Sequence, residues 1–290
     1  MGAPYAEVIG DPVVHSKSPL IHKFWLEKLG IEGDYRATRV TESELPDYLS
    51  NRRHDPDWRG CNVTMPLKEA VVPLLDDVKA SGVNAVNCVV PETRGLPGFR
   101  KTRLRGSNTD GAGIDDAIVE WDIGYGDSRI CLIGAGGAAR AAIGELNAQC
   151  YFLFDLVVRD RTKGRAFLDS CNVEGGVYSF EGAEAAMRGR DAVINASPLG
   201  MAGFPPMPAT VLDALAFVRA KRSVGSHRAF AFDMVTTPVR TAFVTRAEAA
   251  GLTVSDGLTM LIGQARMAFR SFFGILPAAG DAELRRLLTS

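Results

Sequence analysis

The chain has 290 residues, 46% of them hydrophobic, a length that suits two globular domains better than one. Its 33 Lys and Arg offset 34 Asp and Glu to a net charge of -1, which leaves no basic footprint for nucleic acid. No apolar run approaches the ~20 residues of a membrane span, and five cysteines without C-x-x-C spacing (Cys61, Cys88, Cys131, Cys150, Cys171) indicate neither a disulfide framework nor a zinc site. The chain enters an apolar strand directly after Met1-Gly2-Ala3-Pro4-Tyr5, without a basic and hydrophobic leader. The expectation is a soluble, cytoplasmic protein with a small-molecule partner, acting on neither nucleic acid nor membrane, as a monomer or homodimer.

In chain order, Ala6 to Gly10 reads as a strand, Pro19 to Leu29 as a helix stopped at Gly30, and Tyr35 to Val40 as a second strand. A helix over Ser43 to Arg52 and a strand over Trp58 to Val63 follow, the latter delivering Thr64 and Lys68 at its end. Such alternation favours a parallel α/β sheet. Val83 to Val90 reads as another strand, and the Gly/Pro-rich stretch to Gly106 as a long hairpin whose solvated tip carries the basic cluster Arg100 to Arg105.

A helix from Gly111 to Trp121 is expected to lead into a second domain. There Arg129 to Ile133, Leu156 to Arg159, Ala192 to Asn195 and Phe230 to Met234 read as the strands of a Rossmann-like run. Helices over Leu258 to Phe273 and Ala282 to Leu288 are expected to return to the first domain. The expected division is therefore 1–111 with 254–290 for a substrate domain, and 112–253 for a dinucleotide domain, with the active site in the cleft between them.

Three groups of residues carry the chemistry. Lys68, in Gly60-Cys61-Asn62-Val63-Thr64-Met65-Pro66-Leu67-Lys68, and Asp110, in Ser107-Asn108-Thr109-Asp110-Gly111, offer an amine and a carboxylate on loops among small polar side chains. Hydride transfer to a carbonyl leaves an alkoxide that needs a nearby proton, which such a pair can manage. Taken singly, Lys68 also reads as a surface lysine and Asp110 as a helix cap. Ser16 and Ser18, in Val14-His15-Ser16-Lys17-Ser18-Pro19, place two hydroxyls before a helix, suited to a carboxylate or to simple capping by Ser18. His15 and His22 lack a further ligand at metal spacing and read as surface or packing residues.

The third group is Gly134-x-Gly136-x-x-Ala139, within Gly134-Ala135-Gly136-Gly137-Ala138, directly after a strand and opening an alanine-rich helix. That context lets a pyrophosphate approach a helix N-terminus. At the end of the next strand, Arg161 and Arg165 suit a 2′-phosphate, whereas Asp160 suits the free 2′-hydroxyl of NAD. The two cations favour NADP, with NAD open.

In these motifs the chain resembles the shikimate dehydrogenase family. The resemblance rests on His15-Ser16-Lys17-Ser18-Pro19, Asn62-Val63-Thr64-x-Pro66-x-Lys68, Ala85-Val86-Asn87, Asn108-Thr109-Asp110-Gly111, the glycine turn, Arg161-Thr162, Asn195 through Met201, Asp233-Met234-Val235, and Asp256-Gly257-Leu258 through Gln264-Ala265. It implies an α/β fold with an N-terminal substrate domain and a Rossmann-like domain, and reversible NADP-dependent reduction of 3-dehydroshikimate to shikimate in aromatic amino acid biosynthesis.

By that similarity Ser16 and Ser18 bind the substrate carboxylate, while Thr64, Asn87, Asp110 and Gln264 bond ring hydroxyls. Lys68 is the acid/base paired with Asp110, and Met234 and Gly257 belong to the cofactor side. A lysine beside a carboxylate is held as ammonium, which suits proton donation during reduction. Thr236 stands where the family commonly has a substrate-touching tyrosine, Asp160 where it has asparagine, and Cys88, Asn84, Ser107 and Thr259 also depart from its pattern. The alternatives are a quinate/shikimate dehydrogenase using NAD, and a catalytically silent sensor of the same fold.

Overall fold

The computed structural model of the protein describes residues 2–79, 85–94, 101–119, 121, 128–149, 153–218 and 229–289. The chain forms two compact units, one of Met1–Asp110 with Gln264–Ser290, the other of Gly111–Gly263.

The first unit contains β1 (Tyr5–Gly10), α1 (Ser18–Lys28), β2 (Asp34–Arg39), α2 (Leu45–Arg53), β3 (Trp58–Val63), the short α3 (Leu67–Ala70), β4 (Asp77–Lys79), β5 (Cys88–Arg94) and β6 (Lys101–Ser107). Its sheet has the order β2-β1-β3-β5-β6-β4. The three strands β2, β1 and β3 are parallel as expected. β5 continues the sheet antiparallel to β3, and β6 antiparallel to β5, which makes the whole sheet mixed. Every residue of β1 is buried, as a strand covered on both faces requires.

Two expectations need correction here. Ala85 to Asn87 is not strand, and β5 begins only at Cys88; Val83 and Asn84 lie outside the described residues. The reason is that Val86 N bonds the Lys68 carbonyl at 2.8 Å instead of a ladder partner, and Asn87 turns its side chain to the site described below. The basic cluster lies along a strand rather than at a tip, with Lys101 and Arg103 exposed; Arg100 lies outside the described residues. Lys101 to Arg105 lie within β6, where Arg105 pairs with Glu92 and Arg103 donates to the Asp76 carbonyl.

The second unit follows on α4 (Asp110–Ile118), with β7 (Arg129–Ile133), α5 (Gly137–Gln149), β8 (Leu153–Val157), α6 (Arg161–Cys171), β9 (Val177–Tyr178), α7 (Ala183–Met187), β10 (Ala192–Asn195), α8 (Ala209–Ala214), β11 (Phe230–Asp233), α9 (Ala242–Ala249) and β12 (Thr253–Asp256). Its six strands, in the order β12-β11-β10-β7-β8-β9, are all parallel. Alternate residues of β7 face opposite ways: Ile130 and Leu132 pack with α4, α5 and α6, Cys131 and Ile133 with α7, α8 and α9. This is a doubly wound sheet covered on both sides.

Because Thr253–Asp256 is a strand of this second sheet, the chain returns to the first unit at Gln264, later than the expected 254. It does so within α10 (Gly257–Phe273), whose Ala268 and Phe272 cover one face of the first sheet beside Val8, Tyr35 and Cys88, and α11 (Ala282–Thr289) follows.

Candidate active site

In the first unit the two segments read as proton-transfer loops meet. Thr64 N bonds the Ile9 carbonyl and Leu67 N the Thr64 carbonyl, both at 2.9 Å, so the chain turns sharply after β3. Leu67 is fully buried and anchors that turn, while Lys68 on the next position stays partly open. Lys68 Nζ lies 2.8 Å from Asp110 Oδ2, and Asn87 Nδ2 donates to Asp110 Oδ1, also at 2.8 Å.

Asp110 is not spent as a cap. Asn108 Oδ1 accepts the backbone N–H of Asp110 at 2.9 Å, while the two carboxylate oxygens of Asp110 accept from Lys68 and Asn87. Asn87 is 5% exposed, and its Oδ1 accepts from Thr109 N at 2.8 Å and Thr109 Oγ1 at 3.2 Å. Its amide therefore has one orientation, with oxygen toward Thr109 and nitrogen toward Asp110.

Ser16 and Ser18 stand at the start of α1, with Ser18 N donating to Ser16 Oγ at 3.3 Å. Ser18 does not cap the helix: it is the first helical residue, after Lys17, and Pro19 fills the next position, where no N–H is needed. Thr64 and Gln264 are half-buried residues of the same unit, and Thr236 is a half-buried residue of the second. His15 is exposed; His22 is fully buried against Tyr35, where burial pushes its imidazole down to about 3.

The residues read as dinucleotide contacts lie in the second unit. Gly134, directly after β7, has φ +103°, a conformation that L side chains rarely adopt. A Cβ there would stand 3.0 Å from Ser197 Cβ and 3.1 Å from the Ala196 carbonyl, so this turn abuts the loop after β10. The winding of the sheet reverses between β7 and β10, the place where open α/β sheets bind ligands. Gly136, Gly137 and Ala138 are exposed at the start of α5, and a Cβ on either glycine would meet nothing within 4 Å. Exposed backbone at a helix N-terminus fits a pyrophosphate.

Asp160 is the N-cap of α6, accepting from Thr162 N at 3.0 Å and Lys163 N at 3.1 Å. Arg161 Nε bonds the Val177 carbonyl at 3.1 Å; an Arg165 Nη bonds the Gly175 carbonyl at 2.8 Å and its guanidinium pairs loosely with Asp169 at 4.0 Å, on side chains that carry five donors. Both arginines are exposed. Met234, partly buried against the core, and Gly257 are neighbours: a Cβ on Gly257 would fall 2.7 Å from the Met234 carbonyl. Residues that sequence reading took only as family markers prove to hold these loops. Buried Asp233 accepts from Asn195 Nδ2 at 2.9 Å, Val235 N at 3.1 Å and the Thr241 hydroxyl, tying together the ends of β10 and β11.

With this geometry in view, comparison with known proteins decides the family. The family profile for the shikimate dehydrogenase substrate binding domain matches residues 8–89. The shikimate dehydrogenase (NADP(+)) of Sphingopyxis alaskensis is 41% identical, over 99% of this chain and 98% of its own. This chain belongs to the shikimate dehydrogenase family. Among solved structures, a family member from Thermus thermophilus in complex with NADP(H) and shikimate is 32% identical, with a TM-score of 0.77 over 98% of this chain and 99% of that one. A ligand-free 5-ketofructose reductase of Gluconobacter has the same TM-score at 25% identity, covering 99% of this chain and 98% of that one. Among the described residues, no helix is long and apolar enough to cross a membrane.

Proposed function

We propose that the chain is an NADP-dependent shikimate dehydrogenase, reversibly reducing 3-dehydroshikimate to shikimate, with Lys68 and Asp110 handling the proton. The observation that carries the reading is the Lys68–Asp110 pair, held from behind by Asn87, in a chain 41% identical to a shikimate dehydrogenase (NADP(+)) over nearly its whole length.

NADPH supplies the hydride. Lys68 Nζ donates a proton to the carbonyl oxygen as negative charge builds there, and takes it back in the oxidative direction. Asp110, fixed by Asn87, orients the ammonium and offsets its charge. Ser16 and Ser18 receive the substrate carboxylate, while Thr64, Asn87 and Gln264 bond the ring hydroxyls. Thr236 supplies a hydroxyl where the family commonly places a tyrosine.

On the cofactor side, Gly134, Ala135, Gly136, Gly137 and Ala138 receive the pyrophosphate, and Arg161 and Arg165 the 2′-phosphate. The engagement of Asp160 as a helix cap supports this division, because its Oδ1 already serves two backbone N–H groups. Met234 and Gly257 complete the nicotinamide side.

Steady-state rates with shikimate and quinate, each against NADP and NAD, test the assignment. Preferred turnover of shikimate with NADP supports it; preferred turnover of quinate with NAD replaces it with the quinate/shikimate alternative.

A further inference from the structure

Tyr35 lies on β2, separated from β3 by the whole width of β1: it is level with Ala6 of β1, and Asn62 of β3 is level with Val8. Its side chain nevertheless spans that width, and its hydroxyl donates to Asn62 Oδ1 at 2.6 Å. Asn62 Nδ2 donates to the backbone carbonyl of Asn87 at 3.1 Å, and the Asn87 side-chain Nδ2 donates to Asp110 Oδ1. One tyrosine thus reaches the proton-transfer pair through two asparagines.

We propose that Tyr35 is a positioning residue for this reaction: from β2 it holds Asn62 on β3 across β1 and thereby holds Asn87, and through it Asp110, in the orientation that presents Lys68. The inference rests on the functional reading above. Three observations give the tyrosine this office rather than a packing one. It is fully buried, yet its polar atom is directed into a hydrogen-bonded chain rather than to solvent. Its ring is stacked on His22, centroids 4.0 Å apart and planes within 6°, so the hydroxyl cannot swing away without breaking the stack. Burial also raises its pKa well above the usual phenol range, so it stays a donor to Asn62 at any working pH.

The test uses the full-length Tyr35→Phe, Asn62→Ala and double variants, with Tyr48→Phe as control. Tyr48 also gives a hydroxyl bond to a buried partner, Glu7 at 2.7 Å, but lies outside the chain of contacts. Tyr35→Phe is expected to lower kcat about tenfold while KM for shikimate moves less than about threefold, the size of one lost hydrogen bond felt in the transition state. Its effect should vanish in the Asn62→Ala background, and the Asn87 side-chain amide signals in a 1H–15N spectrum should move. Tyr48→Phe should change neither kcat nor those signals. A kcat for Tyr35→Phe within about twofold of wild type, or effects that multiply in the double variant, overturns the inference. If Tyr35→Phe does not fold, Asn62→Ala decides alone: unchanged kcat and Asn87 signals overturn it. Wild-type protein without shikimate-dependent NADP reduction sinks the functional reading instead, and the Asn87 amide signals still decide this one.

Discussion

Asn87 and Asp110 are joined by a 2.8 Å hydrogen bond that leaves Asp110 Oδ2 for the Lys68 ammonium, also 2.8 Å away. The carboxylate is thus held on both oxygens by residues from two different segments, and it orients the amine rather than capping its own helix. Asn87→Ala would release Asp110 Oδ1 and strand the buried N–H of Thr109. We expect kcat to fall roughly tenfold or more and stability to drop by about 1–3 kcal/mol. Steady-state kinetics and urea unfolding on the same preparation check both halves.

Asp160 places a negative charge at the start of α6, beside the arginines assigned to the 2′-phosphate. Asparagine caps helices as well as aspartate does, so Asp160→Asn removes the charge and keeps the cap. The unfolding midpoint should hold, while KM for NADP falls by about two- to fivefold and the NADP over NAD preference rises, the scale of one exposed charge interaction. A preference that shifts toward NAD would show that the carboxylate repels nothing at that position.

Gly257 has no room for a side chain, since an added Cβ would lie 2.4 Å from the Val235 carbonyl and 2.7 Å from that of Met234. Backbone must give way in Gly257→Ala, displacing the Met234 segment. The expected result is a loss of about 1–3 kcal/mol in stability with a raised KM for NADP. Kinetics showing an unchanged KM for NADP would remove Met234 and Gly257 from the cofactor side.

His22 gives the fold a pH dependence of its own. In the folded protein burial holds its pKa near about 3, against an ordinary 6.5. As pH falls below the ordinary value, the unfolded chain takes up a proton that the folded one refuses, so this group costs stability at about 1.4 kcal/mol per pH unit until its folded pKa is reached. Urea unfolding at about pH 7.5 and about pH 5 should differ accordingly, and His22→Phe should flatten that difference.

Motifs that act through local chain geometry could be read from the sequence. The turn after β7, the strand Trp58–Val63 that ends just before Thr64, and the lysine and aspartate loops all depend on residue type at fixed short spacing. What could not be read depends on register or on competition for one group. Val83 to Val90 is apolar enough to read as one strand, but Val86 N bonds the Lys68 carbonyl rather than a neighbouring strand, and β5 begins only at Cys88. Asp160 has the charge of a ribose ligand, yet its place one residue before α6 gives it to the helix. Tyr35 looks like any strand aromatic. Only the pairing of β1 with both β2 and β3 brings it to Asn62.

The most direct test of the account follows the reduced-nicotinamide absorbance when wild-type and Lys68→Ala proteins, both shown to be folded, are mixed with shikimate and NADP. The account predicts rapid reduction by the wild type and a kcat lower by about 100-fold or more in Lys68→Ala, with KM for NADP little changed. Equal turnover by the two proteins would contradict the role given to Lys68, and a folded wild type that binds both ligands without turnover would make the chain a silent sensor.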